Sequence, residues 1–250
     1  MEERVEKHGG VTGFLSERML RTAAMVSHGN RTADVGCDHA YTSIYLVEQG
    51  IAPFVIAMDV NAGPLARAKE NVRKFGAGEQ IDLRLSDGLT ALSPGEADTV
   101  LIGGMGGPLM ERILSAFPEV LGSVKELVLQ PQSEIAAFRR FLHKSGFRIT
   151  KEDMLFEDGK FYVILRAEPG EEPEWTELEY LYGKYLVSSA YPVLLGFLLG
   201  EEEKAKTVLA GLETAGTEKA EIRKEEMLQK LRQIHGMKEK LAAAGYTEEK

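Results

Sequence analysis

The chain has 250 residues, 44% of them hydrophobic, which is enough for one sizeable core and an appendage, and its formal net charge of -9 argues against nonspecific nucleic-acid binding without excluding a local basic face. No apolar run approaches the ~20 residues of a membrane span, and the charged start Met1-Glu2-Glu3-Arg4 carries no apolar signal region. The single cysteine, Cys37, excludes an internal disulfide and fits a reducing cytoplasm, and five scattered histidines supply no zinc-type cluster, so no metal is expected.

Leu15 to Val26 read as an amphipathic helix that Ser16 can cap, with Arg18 and Arg21 on one face. Two readings of these arginines stand, a solvated pair or a substrate contact. Thr32 to Val35 then form a short buried strand, Gly36 breaks it, and a helix runs from Ala40 to its stop at Gly50. Phe54 to Met58 form the next strand and end at Asp59, where a carboxylate suits the two hydroxyls of a ribose. Asn61 is placed to cap a helix that ends at Gly76. A strand, a glycine turn, a helix and an acidic strand end make the opening of a nucleotide-binding unit.

The turn lacks the pattern of a dinucleotide site, which needs G-x-G-x-x-G so that backbone alone faces the pyrophosphate. The second glycine position is Asp38 and the third is Tyr41. Asp38 repels a pyrophosphate but suits a ligand with a ribose and a cationic end, such as S-adenosylmethionine with its sulfonium and ammonium. The pattern therefore favours a methyltransferase over a nicotinamide enzyme.

Ile81 to Leu85 alternate as a third strand and run into Asp87-Gly88, where Asp87 either accepts from an adenine amine or satisfies its own turn. Asp98 to Ile102 form a fourth strand that ends in Gly103-Gly104-Met105-Gly106-Gly107. So many glycines at a strand's carboxyl end suggest a flat group lying on bare backbone. Glu126 to Gln130 form a fifth strand, and Ser133 is placed to cap the helix that follows. Phe147 to Phe156 and Lys160 to Ala167 flank an Asp158-Gly159 turn and read as a β-hairpin. The fold class is α/β, a Rossmann-like sheet with an antiparallel terminal hairpin.

Residues 1–167 are expected to form that domain and residues 168–250 a helical, coiled-coil-like one. In the second, an apolar segment from Tyr191 to Leu199 is broken by Pro192 and Gly196, helices are expected over Thr207 to Thr214 and Glu218 to Ala244, and Lys219, Arg223, Lys224, Lys230 and Arg232 can form one basic stripe.

Together these residues resemble the bacterial tRNA (adenine-22) N1-methyltransferases, the TrmK family. The resemblance rests on Leu15 to Leu20, Asp34 to Tyr41, Asp59-Val60-Asn61, Asp87-Gly88-Leu89, Gly103 to Gly107, Leu129 to Gln132 and Asp158 to Tyr162, and it covers essentially the whole chain. It implies a Rossmann-like fold of the class I methyltransferases, S-adenosyl-L-methionine as cofactor and tRNA as partner. The reaction it implies is methyl transfer to N1 of an adenine in the D-loop region. The implied cofactor residues are Asp34, Gly36, Asp38, His39, Asp59, Val60, Asp87, Gly88 and Gly103. Arg18, Tyr41 and Gln130 are the substrate candidates, and Tyr41, His39, Gly103 and Met105 the catalytic ones. The Asn- or Asp-Pro-Pro-aromatic motif of many base methyltransferases is absent, its place taken by Gly103-Gly104-Met105-Gly106.

Adenine N1 carries an in-plane lone pair and attacks a methyl sulfonium in line without a general base. The expected task of the site is alignment and exclusion of water. Tyr41 is the expected receiver of the unstacked base, with packing in the core as the other reading. His39 orients Asp38, contacts the base or simply bonds at the helix start. A methyltransferase acting on another RNA, a protein or a small molecule shares the same cofactor residues. The oligomeric state stays open.

Overall fold

A computed structural model describes residues 10–189, 191–212 and 217–246. The chain divides into two compact units, one of residues up to Lys151 together with Tyr162–Glu172, the other of Glu152–Phe161 and the residues from Pro173 on. The division is not a single cut near residue 167, because the outer part of the hairpin clusters with the helices.

In chain order the elements of the first unit begin with a 3-10 turn Val11–Phe14, α1 Glu17–Ala23, β1 Thr32–Val35, α2 Tyr41–Glu48, β2 Val55–Asp59 and α3 Ala62–Lys74. They continue with β3 Ile81–Leu85, β4 Thr99–Met105, α4 Gly107–Ser115, α5 Pro118–Leu121, β5 Glu126–Pro131 and α6 Ile135–Lys144. The hairpin strands β6 Phe147–Glu157 and β7 Lys160–Pro169 follow. Among the described residues these strands form one seven-stranded sheet in the order β3-β2-β1-β4-β5-β7-β6. The pairs β3·β2, β2·β1, β1·β4 and β4·β5 are parallel and β5·β7 is antiparallel.

The chain order reverses between β1 and β4, which puts the sheet's switch point, and the crevice that suits a ligand, at the carboxyl ends of those two strands. The residues there are Gly36 and Gly103. β1, β2 and β5 are buried along their whole length, as strands covered on both faces should be. At the opposite, amino end, the buried Glu126 accepts from Ser27 N (2.8 Å), Ser27 Oγ (2.8 Å) and Thr99 Oγ1 (2.7 Å) and pairs with Arg166 (3.0 Å). The carboxylate is fully partnered, and this polar knot fastens β4, β5 and β7 away from the site.

Several local expectations shift. β4 does not stop at Ile102 but runs on through Gly103 and Gly104, with a register break between Gly103 and Met105. Ser16 caps α1 by accepting from Met19 N, yet Asn61 gives α3 no side-chain cap. Glu134, with φ 51°, rather than Ser133 stands at the start of α6. Asp158 and Gly159, at φ 49° and 76°, make the primed hairpin turn.

The second unit contains α7 Glu177–Tyr182, α8 Leu186–Ser189, α9 Tyr191–Leu212 and α10 Glu218–Ala243. α9 continues past Pro192 and Gly196 as one helix, because proline is tolerated in a first turn. Glu213 and Thr214, the end of the expected helix there, lie outside the described residues. Thr176 and Glu179 form a capping box that starts α7. α10 buries Ala220, Met227, Ile234, Met237 and Leu241.

The expected basic stripe of α10 is largely answered by glutamates of α10 itself and of α9. Arg223 pairs with Glu226 (2.7 Å), Lys224 with Glu221 (2.7 Å), Arg232 with Glu225 (2.8 Å) and Lys230 with Glu201.

Candidate active site

The turn after β1 is shaped by three left-handed residues, Gly36 (φ 76°), Asp38 (φ 47°) and Ala40 (φ 59°). Two of them are not glycine, so the backbone is strained, and it is held by others. Gly36 N and Cys37 N both donate to Met58 O, at 2.8 and 2.9 Å. Asp38 N donates to Asp59 Oδ2 (3.2 Å), and Asp59 Oδ1 accepts from Asn61 N (2.8 Å). Asp59 thus binds the turn after β1 to the end of β2.

A cavity of about 320 Å³ opens beside this turn, lined in part by Arg18, Asp34, Gly36, Asp38, Gly103 and Gly104. Arg18 comes from α1, the two carboxylates and Gly36 from β1 and its turn, and Gly103 and Gly104 from β4. The wall therefore carries a cation on one element and carboxylates on another. Asp34 is buried and accepts from Ser43 Oγ at 2.6 Å. Burial pushes its carboxyl up to about 6, with the hydrogen bond from Ser43 opposing and the charge of Asp59 adding. Burial also pushes the Cys37 thiol up, with the Asp34 and Asp59 charges adding, so this cysteine is held as the thiol rather than as a nucleophile.

Gly104 (φ 79°) donates its N–H to Gln130 Oε1 (3.0 Å), and the same oxygen accepts from Arg18 Nη1 (2.7 Å). Gln130 is fully buried. It lies beneath the glycines rather than on the cavity wall, so one amide oxygen sets both the β4 turn and the arginine. The guanidinium also rests 5.0 Å over the Tyr162 ring.

The glycine run divides in two. A Cβ at Gly103 would meet nothing within 4 Å, and at Gly104 only side-chain ends at 3.9 Å. A Cβ at Gly106 would lie 2.8 Å from Ser133 Oγ, and at Gly107 2.7 Å from the Ser133 carbonyl oxygen. The first pair faces the cavity, and the second lets the start of α4 close on the turn before α6. Gly36 has a second reason to be glycine, since a Cβ there would collide with the Met105 methyl.

The remaining candidates separate by place. Asp59 is buried, while Val60 and Asp87 are exposed at the ends of β2 and β3, and Gly88 (φ 59°) sits in the turn beside them. Tyr41, proposed from sequence to receive the base, is half-buried. Its ring stacks on Phe14 (5.1 Å, 16°) and on His39 (5.7 Å, 16°). His39 Nε2 is 3.7 Å from Asp38 Oδ1, and the His39 carbonyl accepts from Asn71 Nδ2 at 3.0 Å. The sequence reasoning missed Met19, Thr22, Cys37, Thr42 and Leu101 on the cavity wall. Thr22 lies one helical turn beyond Arg18 and Thr42 in the first turn of α2, and those spacings were the available signal. A second cavity of about 370 Å³, lined chiefly by apolar groups such as Leu114, Leu121, Phe141 and Phe147, brings together no convergent charges.

Residues 15–165 match a family described as a methyltransferase domain. The Bacillus subtilis (strain 168) tRNA (adenine(22)-N(1))-methyltransferase is 39% identical over 157 residues, 63% of this chain and 66% of its own length. The crystal structure of the B. subtilis M1A22 tRNA methyltransferase TrmK is matched with a TM-score of 0.79 at 31% identity, over 89% of this chain and 97% of that one. This chain belongs to the TrmK family. A Streptococcus pneumoniae relative, solved in complex with S-adenosyl-L-methionine, matches over 89% of this chain and 98% of its own, with a TM-score of 0.79 and 34% identity. The chain thus spans just under two thirds of the curated B. subtilis sequence, whereas nearly the full length of these two solved chains is covered.

Proposed function

We propose that this chain is an S-adenosyl-L-methionine-dependent tRNA methyltransferase acting on N1 of adenine 22, in the cytoplasm where tRNA is modified. The observation that carries the cofactor is the two-signed cavity at the switch point. Its cation, Arg18, and its carboxylates, Asp34 and Asp38, stand on different elements around the bare backbone of Gly36 and Gly103. A zwitterionic amino acid with a further positive charge fits that set, and a pyrophosphate does not. The tRNA substrate is supported by the names of the relatives.

In this reading Asp34 and Asp38 take the ammonium end and Arg18 the carboxylate end of the cofactor's amino acid. Asp59 accepts from the ribose while it holds the Asp38 amide, with Val60, Asp87 and Gly88 alongside the adenine. When bound, S-adenosylmethionine supplies an electrophilic methyl group. The acceptor nitrogen has a free lone pair, so the chain's residues have only to bind, align and dry the site. The Gly103 carbonyl and Met105 border the acceptor and favour a ring that becomes cationic. Gln130 is a positioning residue that fixes Gly104 and Arg18. Tyr41 and His39 act through their stack, and neither carries a proton in the reaction.

Isothermal titration with S-adenosylmethionine and with NAD tests the reading. Micromolar binding of the first and none of the second is expected. Binding of NAD alone would refute it.

A further inference from the structure

Beside the cavity stands a row of rings whose outer end, at Phe14, the chemistry above does not use. His39, Tyr41 and Phe14 are successively near-parallel, each pair at 16°. Phe75 meets Phe14 edge-on at 5.7 Å. The Lys74 ammonium lies 5.2 Å from the Phe14 centroid and 5.5 Å from that of Phe75. The row begins at the cavity rim, since Asp38 and Thr42, which line the cavity, bracket its inner two rings in sequence. It ends in water, where Phe14 is 49% exposed.

The packing of this segment does not require that exposed ring. Val11 of the same 3-10 turn is fully buried, and its N–H donates to Glu48 Oε2 at 3.0 Å, which already fastens the turn to α2. A single exposed phenylalanine is unremarkable, but an exposed ring that terminates a parallel stack beside a cation is a specific surface. Near-parallel stacked rings next to an ammonium suit a nucleotide, whose flat base continues the stack and whose phosphate takes the cation. Lys74 has a long, exposed side chain and can exchange the ring for a phosphate without moving the helix.

We infer that the Phe14 end of this row is a stacking platform for an unpaired nucleotide of the RNA substrate, one next to the target base and distinct from it. The inference rests on the tRNA reading above. It assigns the outer ring, Phe14, a substrate role and leaves Tyr41 and His39 as its support.

The test compares wild type with Phe14→Leu, Phe14→Trp and Lys74→Gln. The readouts are equilibrium binding to an unmodified tRNA transcript across a salt series, S-adenosylmethionine titration and the melting midpoint. Phe14→Leu keeps apolar packing and removes the ring. It should bind tRNA roughly tenfold more weakly, whereas Phe14→Trp stays within about twofold of wild type. Lys74→Gln should reduce the salt slope by about one. Cofactor affinity should not change in any of the three. Undiminished tRNA binding by Phe14→Leu, from a wild type that methylates tRNA, would overturn the platform alone. A wild type that binds the cofactor but neither binds nor methylates tRNA would overturn the functional reading and the platform with it.

Discussion

Gly103-Gly104 and Gly106-Gly107 are the same residue type, two positions apart, at the end of one strand, yet they answer different physical demands. The first pair has open space where side chains would be and borders the cavity. The second has the turn at Ser133 pressed against it and serves the packing of α4 on that turn. One run of glycines thus combines a ligand surface with a close helix approach. A glycine count cannot separate the two, whereas the distance to the nearest non-local atom can.

The largest expected effect comes from the packing pair. Gly107→Ala drives a methyl against a backbone carbonyl at 2.7 Å, which cannot rotate away. Its cost should be about 1–3 kcal/mol in stability, read by thermal or urea melting, with the folded fraction retaining cofactor affinity. A wild-type melting curve for that variant would erase the distinction between the pairs.

Gln130→Leu probes what holds the cavity pair in place. It strips the acceptor from Gly104 N–H and from Arg18 together, and should lose about 1–3 kcal/mol along with cofactor binding. Gln130→Glu keeps an acceptor at that place and should recover most of both. Equal behaviour of the leucine and glutamate variants would show that Gln130 merely fills space.

Gly103→Ala should show the reverse of Gly107→Ala. Its backbone is not left-handed and its added methyl meets nothing, so melting should shift little, within about 0.5 kcal/mol. Titration should show roughly tenfold weaker S-adenosylmethionine binding, because the methyl occupies cavity space. Unchanged affinity would move the cofactor away from β4.

The remaining effect is a pH dependence. Burial raises Asp34 from its ordinary 3.8 to about 6 in the folded chain. Its charged form therefore costs stability in full above about pH 6. That cost is relieved as pH falls through 6 and is gone below the unfolded value. Affinity for the cationic cofactor should run the opposite way, constant above pH 6 and falling as the carboxyl protonates. Asp34→Asn should flatten the profile, and a profile that survives that change would assign the titration elsewhere.

Much of the first unit was legible in the sequence, because its strands are continuous apolar runs bounded by glycine and its helices have the 3.6-residue period. The strands, the terminal hairpin and the turn at Gly36 follow from those patterns. What was not legible was set by contacts distant in sequence. Gln130 looks like a polar strand end suited to substrate, and only the approach of Gly104 and Arg18 shows it buried. Tyr41 looks like a free aromatic until Phe14 and His39 stack on it. Asn61 and Ser133 have the composition of caps, but Asn61 makes no capping bond and the Ser133 oxygens face Gly106 and Gly107. Val11 to Phe14 have no periodicity, so Phe14 gave no signal.

Methyl transfer to adenine 22 at the cavity between β1 and β4 is the proposal on which the rest depends. The most direct measurement incubates the chain with labelled S-adenosylmethionine and an unmodified tRNA transcript, alongside a transcript carrying guanine at position 22, and maps the product base. Label is expected on N1 of adenine 22 in the first transcript, none in the second, and a several-fold lower initial rate with Gly103→Ala at a cofactor level near the wild-type Kd. Label at another position, equal label in the guanine transcript, or an undiminished rate for Gly103→Ala at that level would contradict the proposal.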